Sequence, residues 1–150
     1  MSDDRTLVIS RVFNAPRDRV FAAWIDPDQA ARWWGPKGFV SVSCTMDVRI
    51  GGVWRRVMRS PEGTEHRARG VYTEIGRPER LVFTYAWEDE TGRPKHQTLV
   101  TLTFSDLGNG KTELTLHQTR FEIVATRDDH AMGWSSCLER FADHLAAHVI

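Results

Sequence analysis

The side chains best placed for chemistry in this sequence are Arg56 and His66, which stand among apolar residues in a predicted β-hairpin. The hairpin reads "VWRRVMR", then "SPEG", then "TEHRARGVYTEI". Residues 61–63, Pro-Glu-Gly, suit a three-residue loop, because Pro favours the corner of a type I turn and Gly accepts the left-handed position after it. This loop pairs Ser60 with Thr64, and it therefore predicts the register of both strands.

The predicted register gives the hairpin two different faces, because successive side chains of a strand point to opposite sides of the sheet. One face is aromatic and mixed and is expected to point inward: Trp54, Arg56, Met58, His66, Ala68 and Tyr72. The other is basic and is expected to face solvent: Val53, Arg55, Val57, Arg59, Glu65, Arg67 and Arg69. The ring of Trp54 is expected to cover the bare backbone of Gly70.

An inward-facing Arg56 needs a partner, because a buried charge must be paired or hydrated. One hypothesis makes it a cationic handle for an anionic ligand, held by its planar guanidinium. The alternatives are that its long side chain reaches water near the end of the sheet, or that it pairs with a carboxylate such as Glu74.

No other group of residues has the spacing of a catalytic, cofactor or metal site. His144 and His148 stand four residues apart, a spacing that can hold zinc, but a zinc site needs three or four ligands and no third one is evident. Ser135 and Ser136 lack the Gly-x-Ser-x-Gly context of a nucleophile elbow. The sequence therefore predicts no catalytic residue, no cofactor and no metal.

A long amphipathic helix is predicted for "HAMGWSSCLERFADHLAAHVI" at the end of the chain. Its apolar residues recur at intervals of four, three and four: Trp134, Leu138, Phe141 and Leu145. Cys137 lies beside this stripe and is predicted to be a buried, inert thiol. Asp128 and Asp129 are predicted to cap the start of the helix, and His130 is predicted to pack locally against Trp134.

The remaining pattern predicts one strand, two short helices and a run of strands before the long helix. "TLVISRVFNA" alternates as a strand, Pro16 opens a helix, and "DPDQ" at 26–29 begins a second one with a capping residue and a first-turn proline. That helix ends in "WWGP", where Gly35-Pro36 stops it. From Phe39 onward the pattern alternates with period two, with turn signals at "GG", "SPEG", "TGRP" and "GNG".

Composition places the chain among ordinary globular proteins. Its 150 residues suit a single domain, 1–150. Lys plus Arg and Asp plus Glu both count 20, which argues against a nucleic-acid binder that relies on an overall positive field. The two cysteines have no metal-like spacing, and no signal peptide or membrane span is evident, so a cytoplasmic location is predicted.

An antiparallel sheet with one apolar face needs a cover, and the long helix supplies it. A curved sheet that grips a helix leaves a hollow, which is the kind of space that holds small molecules. The residues expected to line this hollow are Trp54, Arg56, Met58, His66, Tyr72, Phe83, Tyr85, Val100, Leu102, Trp134, Leu138 and Phe141, with Trp33 and Trp34 at one end.

These motifs resemble a known superfamily over almost the whole chain. The segments "FNAPRDRVFAAWIDPDQAARWWGPKGF", "MDVRIGGVWRRVMRSPEGTEHRARGVYTEIGRPERLVFTY" and "GWSSCLERFADHL" are similar to the SRPBCC, or START-like, superfamily. They are most similar to its bacterial branch named after the C-terminal domain of the heat-shock protein 90 ATPase activator. The resemblance implies an α+β helix-grip fold: a curved, seven-stranded antiparallel sheet, two short helices and a long C-terminal helix around a cavity.

The resemblance also implies a place for the tryptophan pair and marks a departure at the hollow. In this family "WWGP" closes the second short helix, where Trp33 and Trp34 would help to close one end of the hollow. Arg56 and His66 stand where the usual pattern "WRFVMRGPDGTEYPF" has Phe and Tyr. A more polar cavity follows from that difference.

Three functions are consistent with this reasoning, since one fold hosts many activities. The first is binding of a small hydrophobic or amphipathic, possibly anionic, molecule in the cavity. The second is a chaperone-regulating or other protein-binding module that uses the outer face, for instance the surface of Arg55, Arg59, Arg67 and Arg69. The third is an enzyme of the cyclase or hydrolase kind that uses Arg56 or His66. Either a monomer or a homodimer is compatible with free sheet edges.

Overall fold

The structure is a computed structural model that describes residues 5–147. His148, the second histidine of the pair considered for zinc, lies outside the described residues. Within the described residues the chain forms seven strands and three helices: β1 (Leu7–Phe13), α1 (Arg17–Ile25), α2 (Pro27–Trp33), β2 (Val40–Met46), β3 (Val53–Arg59), β4 (Glu65–Gly76), β5 (Arg80–Trp87), β6 (Thr98–Gly108), β7 (Lys111–Thr119) and α3 (Val124–Ala147).

The seven strands form one curved antiparallel sheet in the order β1-β7-β6-β5-β4-β3-β2. Strands β2 to β7 follow one another as a meander, and the last strand, β7, pairs with the first strand, β1. The two edges are therefore β1 and β2. The α+β helix-grip architecture expected from the resemblance is confirmed.

The hairpin of β3 and β4 has the register that its loop predicts. The Ser60 N–H donates to the carbonyl of Thr64 at 2.8 Å, and Gly63 has a φ of +91°. Across the pair, Met58 lies opposite His66, Arg56 opposite Ala68 and Trp54 opposite Gly70. A Cβ atom on Gly70 would lie 2.5 Å from Nε1 of Trp54, so only glycine permits this ring to lie against the strand.

The two short helices begin as the sequence predicts. Helix α1 follows Pro16, whose missing N–H is not needed at a helix start. Helix α2 is capped by Asp26, whose carboxylate accepts the backbone N–H of Asp28 at 3.0 Å and the side-chain amide of Gln29 at 3.1 Å. These contacts fix the turn that aims α2 and its terminal tryptophans at the sheet.

Helix α3 starts earlier than predicted. It begins at Val124, so Asp128 and Asp129 lie inside its second turn and the prediction that they cap it is wrong. Asp128 instead accepts hydrogen bonds from the Arg127 side chain, at 2.8 Å for Nη2.

The inner face of the sheet and one face of α3 form the core. The predicted stripe of α3, Trp134, Leu138, Phe141 and Leu145, is buried. So are the inward residues of the central strands, Leu81, Phe83, Tyr85, Val100, Leu102, Phe104, Leu114 and Leu116. Among the helices of residues 5–147, none is both long enough and apolar enough to cross a membrane.

Candidate functional site: an aromatic cavity under the last helix

A cavity of about 520 Å³ lies between the N-terminal half of α3, the inner face of the sheet and the loop that follows α2. We call it the aromatic cavity. It is lined by Trp34, Gly35, Pro36, Phe39, Met58, His66, Tyr85, Trp87, Thr126, Asp129, His130, Gly133, Trp134 and Cys137. Its size lies within the range of small-molecule sites, which are mostly apolar with a few polar groups.

The helical wall of the aromatic cavity comes from one stripe of α3. Thr126, His130, Gly133 and Cys137 recur at intervals of four, three and four, which places them on one side of a helix. Gly133 lies at the middle of this wall, and a Cβ atom added there would meet no heavy atom within 4 Å. The helix is therefore held away from the sheet along this stripe.

A second wall is the loop of residues 34–39, which connects α2 to β2 and is fastened to α3 by one arginine. Nη1 of Arg140 lies 3.1–3.3 Å from four carbonyl oxygens, those of Trp34, Gly35, Pro36 and Phe39, which share its two N–H donors. Nη2 of Arg140 donates to the carbonyl of Arg32 at 3.0 Å. A guanidinium suits this task, because its N–H groups are fixed in one plane.

Gly35 lets this loop turn beside the sheet. Its φ of +96° lies in the left-handed region, which costs glycine no steric penalty. A Cβ atom at Gly35 would lie 2.9 Å from Sδ of Met58. The Gly-Pro that follows the tryptophan pair thus brings Trp34 against the sheet at the end of the cavity.

His130 is a neutral hydrogen-bond acceptor in the cavity wall. Nε1 of Trp87 donates to Nε2 of His130 at 3.0 Å, and the imidazole also contacts the rings of Tyr85 and Phe121. Burial lowers the pKa of His130 to about 4, against a smaller opposing effect of Asp129. The imidazole is therefore uncharged near neutral pH. It packs locally, as the sequence suggests, although it does so against Trp87.

Cys137 lies at the buried end of the cavity and is not an activated nucleophile. Burial raises its pKa to about 12. Its thiol donates a hydrogen bond to the carbonyl of Trp33, with Sγ at 3.7 Å. A thiol in this state has almost no thiolate at neutral pH. The prediction of a buried, inert thiol is consistent with these surroundings.

The structure divides the residues expected to share one space into three groups. Five of them line the aromatic cavity: Trp34, Met58, His66, Tyr85 and Trp134. Four lie around a separate void of about 10 Å³ beyond Trp34: Trp54, Arg56, Tyr72 and Phe83. The other five are buried core residues outside both linings: Trp33, Val100, Leu102, Leu138 and Phe141.

The division has a physical cause in the way α3 meets the sheet. The C-terminal half of α3 packs tightly, with the ring of Phe141 centred 4.5 Å from that of Trp33 and 5.1 Å from that of Phe13. Trp33 also donates from Nε1 to the carbonyl of Ala23 at 3.2 Å. This end is therefore filled with rings, and the open space is confined to the N-terminal half of the helix.

Arg56 is buried without a carboxylate. Its side chain is 5% exposed, and Nη2 donates to Sδ of Met46 at 3.5 Å, while Nε and Nη1 have no hydrogen-bond partner among the described residues. Neither alternative from the sequence holds, because Arg56 does not reach water and Glu74 pairs with Arg80. The guanidinium instead stacks on Trp34, 3.7 Å from the ring centroid.

Several cavity residues were missed by reasoning from the sequence. Thr126, Asp129, Gly133 and Phe39 are not predicted to line it, and alternation along β5 places Trp87 on the inner face without assigning it to the cavity. The signal that could have found the helical residues is the stripe at 126, 130, 133 and 137, where small or polar residues run beside the apolar stripe. Gly133 in particular leaves room that any larger residue would fill.

A chain of buried hydrogen bonds, also missed, ties α3 to the sheet behind the cavity. Gln118 is fully buried, and its Oε1 accepts the indole N–H of Trp134 at 2.8 Å. Its Nε2 donates to Oγ1 of Thr98 at 2.8 Å, and that hydroxyl donates to the carbonyl of Tyr85 at 2.9 Å. Every polar group of this chain has a partner, so Trp134 is held in one orientation.

The outer face of the β3–β4 hairpin is less basic than its sequence suggests. Arg55 donates from Nε and Nη2 to the two carboxylate oxygens of Glu88 at 2.7 and 2.8 Å. Glu65 accepts from both Arg59 and Arg67, at 3.3 and 3.1 Å. Much of the positive charge on this surface is therefore compensated.

No cluster of three or more His, Cys, Asp or Glu side chains within residues 5–147 is arranged to hold a metal ion. The titratable groups of the aromatic cavity are His66, Asp129, His130, Tyr85 and Cys137. Burial raises the pKa of Tyr85 above its ordinary value. The site thus presents aromatic surface, the neutral side chains of Tyr85, His130 and Cys137, and one carboxylate in its wall.

Comparisons with known proteins agree with this architecture. The chain is similar to the AHSA1 protein of Silicibacter pomeroyi, with 26% identity and a TM-score of 0.87 over 96% of this chain and 99% of that one. It is also similar to a protein of Arthrobacter aurescens, with 28% identity and a TM-score of 0.85 over 98% of this chain and 90% of that one. A third structure, a Chromobacterium violaceum protein, has 28% identity and a TM-score of 0.81 over 93% and 95% of the two chains.

Among curated proteins no match to the chain was found. The family model described as "Activator of Hsp90 ATPase homolog 1-like protein" matches residues 14–146, a span from the end of β1 to the end of α3. That span includes every residue that lines the aromatic cavity. The fold and the family model lead to the same conclusion: the chain belongs to the family of Activator of Hsp90 ATPase homolog 1-like proteins, within the START-like superfamily.

Proposed function

We propose that this protein binds a small hydrophobic or amphipathic molecule in the aromatic cavity. The observation that carries the proposal is the 520 Å³ space held between α3 and the sheet at Gly133. A chain that needed only a packed core would gain stability by filling this space with side chains, because protein interiors are close-packed. Buried aromatic rings give a ligand large contact area at little cost in conformational entropy.

The wall of the cavity is built to keep its shape. Arg140 fastens the loop of residues 34–39, and Gln118 fixes the ring of Trp134. A preorganised pocket binds more tightly than one that must order itself, since less entropy is lost on binding. The rings of Trp34, Trp134 and Tyr85 meet at centroid distances of 5.2–6.4 Å and together offer flat apolar surfaces to a ligand.

The other two hypotheses have weaker support. A protein-binding module on the outer face has less free positive charge than its sequence suggests, since Arg55 pairs with Glu88 and both Arg59 and Arg67 share Glu65, so that two carboxylates offset two of the positive charges. The enzyme hypothesis depends on Arg56 or His66, but Arg56 lies outside the lining of the aromatic cavity, and His66 contacts the rings of Phe39 and Trp87 in its wall. A chaperone partner, the oligomeric state, a cytoplasmic location and a single domain over residues 1–150 stay predictions.

The proposal is tested by titrating octanol, a neutral amphiphile, into the protein and into Gly133→Leu, with calorimetry as the readout. We expect octanol to bind the natural protein. The added leucine side chain extends into the cavity and denies the ligand the burial of about two CH₂ groups, which weakens binding about ten-fold or more. The variant is expected to fold, because Leu has a better helix propensity than Gly and no atom lies within 4 Å of the new Cβ.

Met132→Leu is the matched control, since residue 132 is the neighbour of Gly133 on α3 and its side chain is 76% exposed. It places the same leucine on the solvent side of the helix and should leave octanol binding unchanged. Equal binding to the natural protein and to Gly133→Leu would contradict the proposal, as would no binding at all.

A further inference from the structure

We propose that the ligand of the aromatic cavity is a small amphiphilic carboxylate, whose acid group moves past Trp34 and pairs with Arg56. This inference rests on the proposed function and adds the chemical class of the ligand and the residue that selects it. Arg56 is separated from the cavity by the indole of Trp34.

Arg56 has an uncompensated positive charge. None of the ion pairs among residues 5–147 includes it, and its Nε and Nη1 are buried donors without a partner. Burial lowers the pKa of Arg56, yet an arginine keeps its proton in proteins. A buried cation of this kind is costly unless a group of opposite charge or a hydrogen-bond acceptor meets it.

The neighbours of Arg56 do not supply a negative charge. Burial raises the pKa of the Tyr72 hydroxyl to about 12, against smaller opposing effects of the Arg56 charge and of a side-chain hydrogen bond with Arg56. Burial likewise raises the pKa of the Cys44 thiol. Both groups are therefore neutral near pH 7. The rings of Trp34 and Trp54, at 3.7 and 5.8 Å from the guanidinium, offer cation–π attraction but accept no N–H bond in its plane.

A single ring separates this charge from the ligand space. Trp34 lines both the aromatic cavity and the void of about 10 Å³ around Arg56. That void is close to the smallest that can hold one water molecule, so an acid group reaches Arg56 only when the indole moves. The movement is a rotation of the Trp34 side chain alone, because the backbone carbonyls of Trp34 and Gly35 are held by Nη1 of Arg140.

The aromatic cavity and the small void around Arg56 together define the chemistry of the ligand. An apolar body of modest size suits the rings of the aromatic cavity, and one negative charge suits one guanidinium. A carboxylate is planar and compact, which matches the narrow space behind Trp34 better than a tetrahedral phosphate does. A neutral analogue of the same length would fill the cavity without engaging Arg56.

The test compares octanoate with octanol, which share a chain and differ in charge, in the natural protein and in Arg56→Met. In the natural protein octanoate should bind about ten-fold or more tightly than octanol, as expected for a charge-assisted hydrogen bond. Arg56→Met should abolish this preference and leave octanol binding within about two-fold of its original value. Arg59→Met, on the same strand but on its outer face, is the matched control and should keep the preference.

A second measurement on the natural protein needs no variant to fold. The Nε–H resonance of Arg56 should shift in NMR spectra when octanoate is added and stay in place when octanol is added. The inference is overturned if Arg56→Met still binds octanoate more tightly than octanol. It is also overturned if the natural protein binds octanoate no more tightly than octanol and the Arg56 resonance does not shift. In both cases octanol binding would still support the proposed function. If neither compound binds the natural protein, the proposed function fails, and the inference fails with it.

Discussion

Replacement of Arg56 by Met should make the protein more stable in the absence of ligand. Two buried nitrogens of Arg56 have no partner among the described residues, and each such donor costs about 1–3 kcal/mol. Loss of the cation–π contact with Trp34 at 3.7 Å removes about 2 kcal/mol of stabilisation. Met fills a similar volume without a charge, so the net effect is a gain of roughly 2 kcal/mol in the free energy of unfolding.

The assay is urea unfolding followed by tryptophan fluorescence, supported by thermal unfolding. A gain of this size should raise Tm by about 4–8 °C for a chain of this length and raise the urea midpoint with no change in the m-value. Arg59→Met removes an exposed charge from the same strand and should change stability by less than about 0.5 kcal/mol. A loss of 1 kcal/mol or more in Arg56→Met would refute the reasoning, because it would show that the guanidinium is stabilising where it lies.

Three further predictions concern α3. Arg140→Lys should lower the free energy of unfolding by about 2 kcal/mol in urea, because one ammonium cannot replace a guanidinium that serves five carbonyls; an equal effect of Arg59→Lys would contradict this. Burial lowers the pKa of His130 from 6.5 to about 4, so as pH falls the unfolded chain becomes protonated at His130 before the folded one does. The free energy of unfolding should therefore drop by about 3 kcal/mol between those two pH values. The same dependence of stability on pH in His130→Gln would refute this. Gly133→Ala should raise stability by about 0.5–1 kcal/mol in thermal unfolding, since Gly weakens a helix interior; a destabilised variant would show that the site is not open.

The sequence predicts the fold well where local chemistry determines geometry. The loop of residues 61–63 sets the hairpin register, and with it the inward direction of Arg56 and His66. Asp26 and Pro27 define the start of α2 in the same way. In each case the conformation depends on one or two residues with strong backbone preferences.

The cavity could be predicted only in part, because periodicity gives the face of an element and not its distance from its neighbour. Phe141 and Trp134 lie on the same stripe of α3, yet only Trp134 lines the aromatic cavity. The difference arises because Trp33 fills the space beneath the C-terminal half of the helix. A contact between residues 33 and 141 is a tertiary event that no local pattern encodes.

The surroundings of Arg56 show a second limit of reasoning from sequence. Alternation predicts that its side chain points inward, and it does. Whether an inward arginine meets a carboxylate depends on where every acidic residue falls in space. Glu74 is the partner considered from the sequence, but Arg56 lies opposite Ala68, six residues before Glu74 on β4, and Glu74 pairs with Arg80.

The position of bound octanol tests the central claim most directly, and intermolecular nuclear Overhauser effects between octanol and the protein can measure it. The account predicts contacts from the alkyl chain to Met58, Tyr85 and Trp134, which line the aromatic cavity on opposite sides, and loss of these contacts in Gly133→Leu. Contacts confined to exposed residues, such as Val40 on the edge strand β2, would contradict it. That result would mean that the space under α3 is not a ligand site.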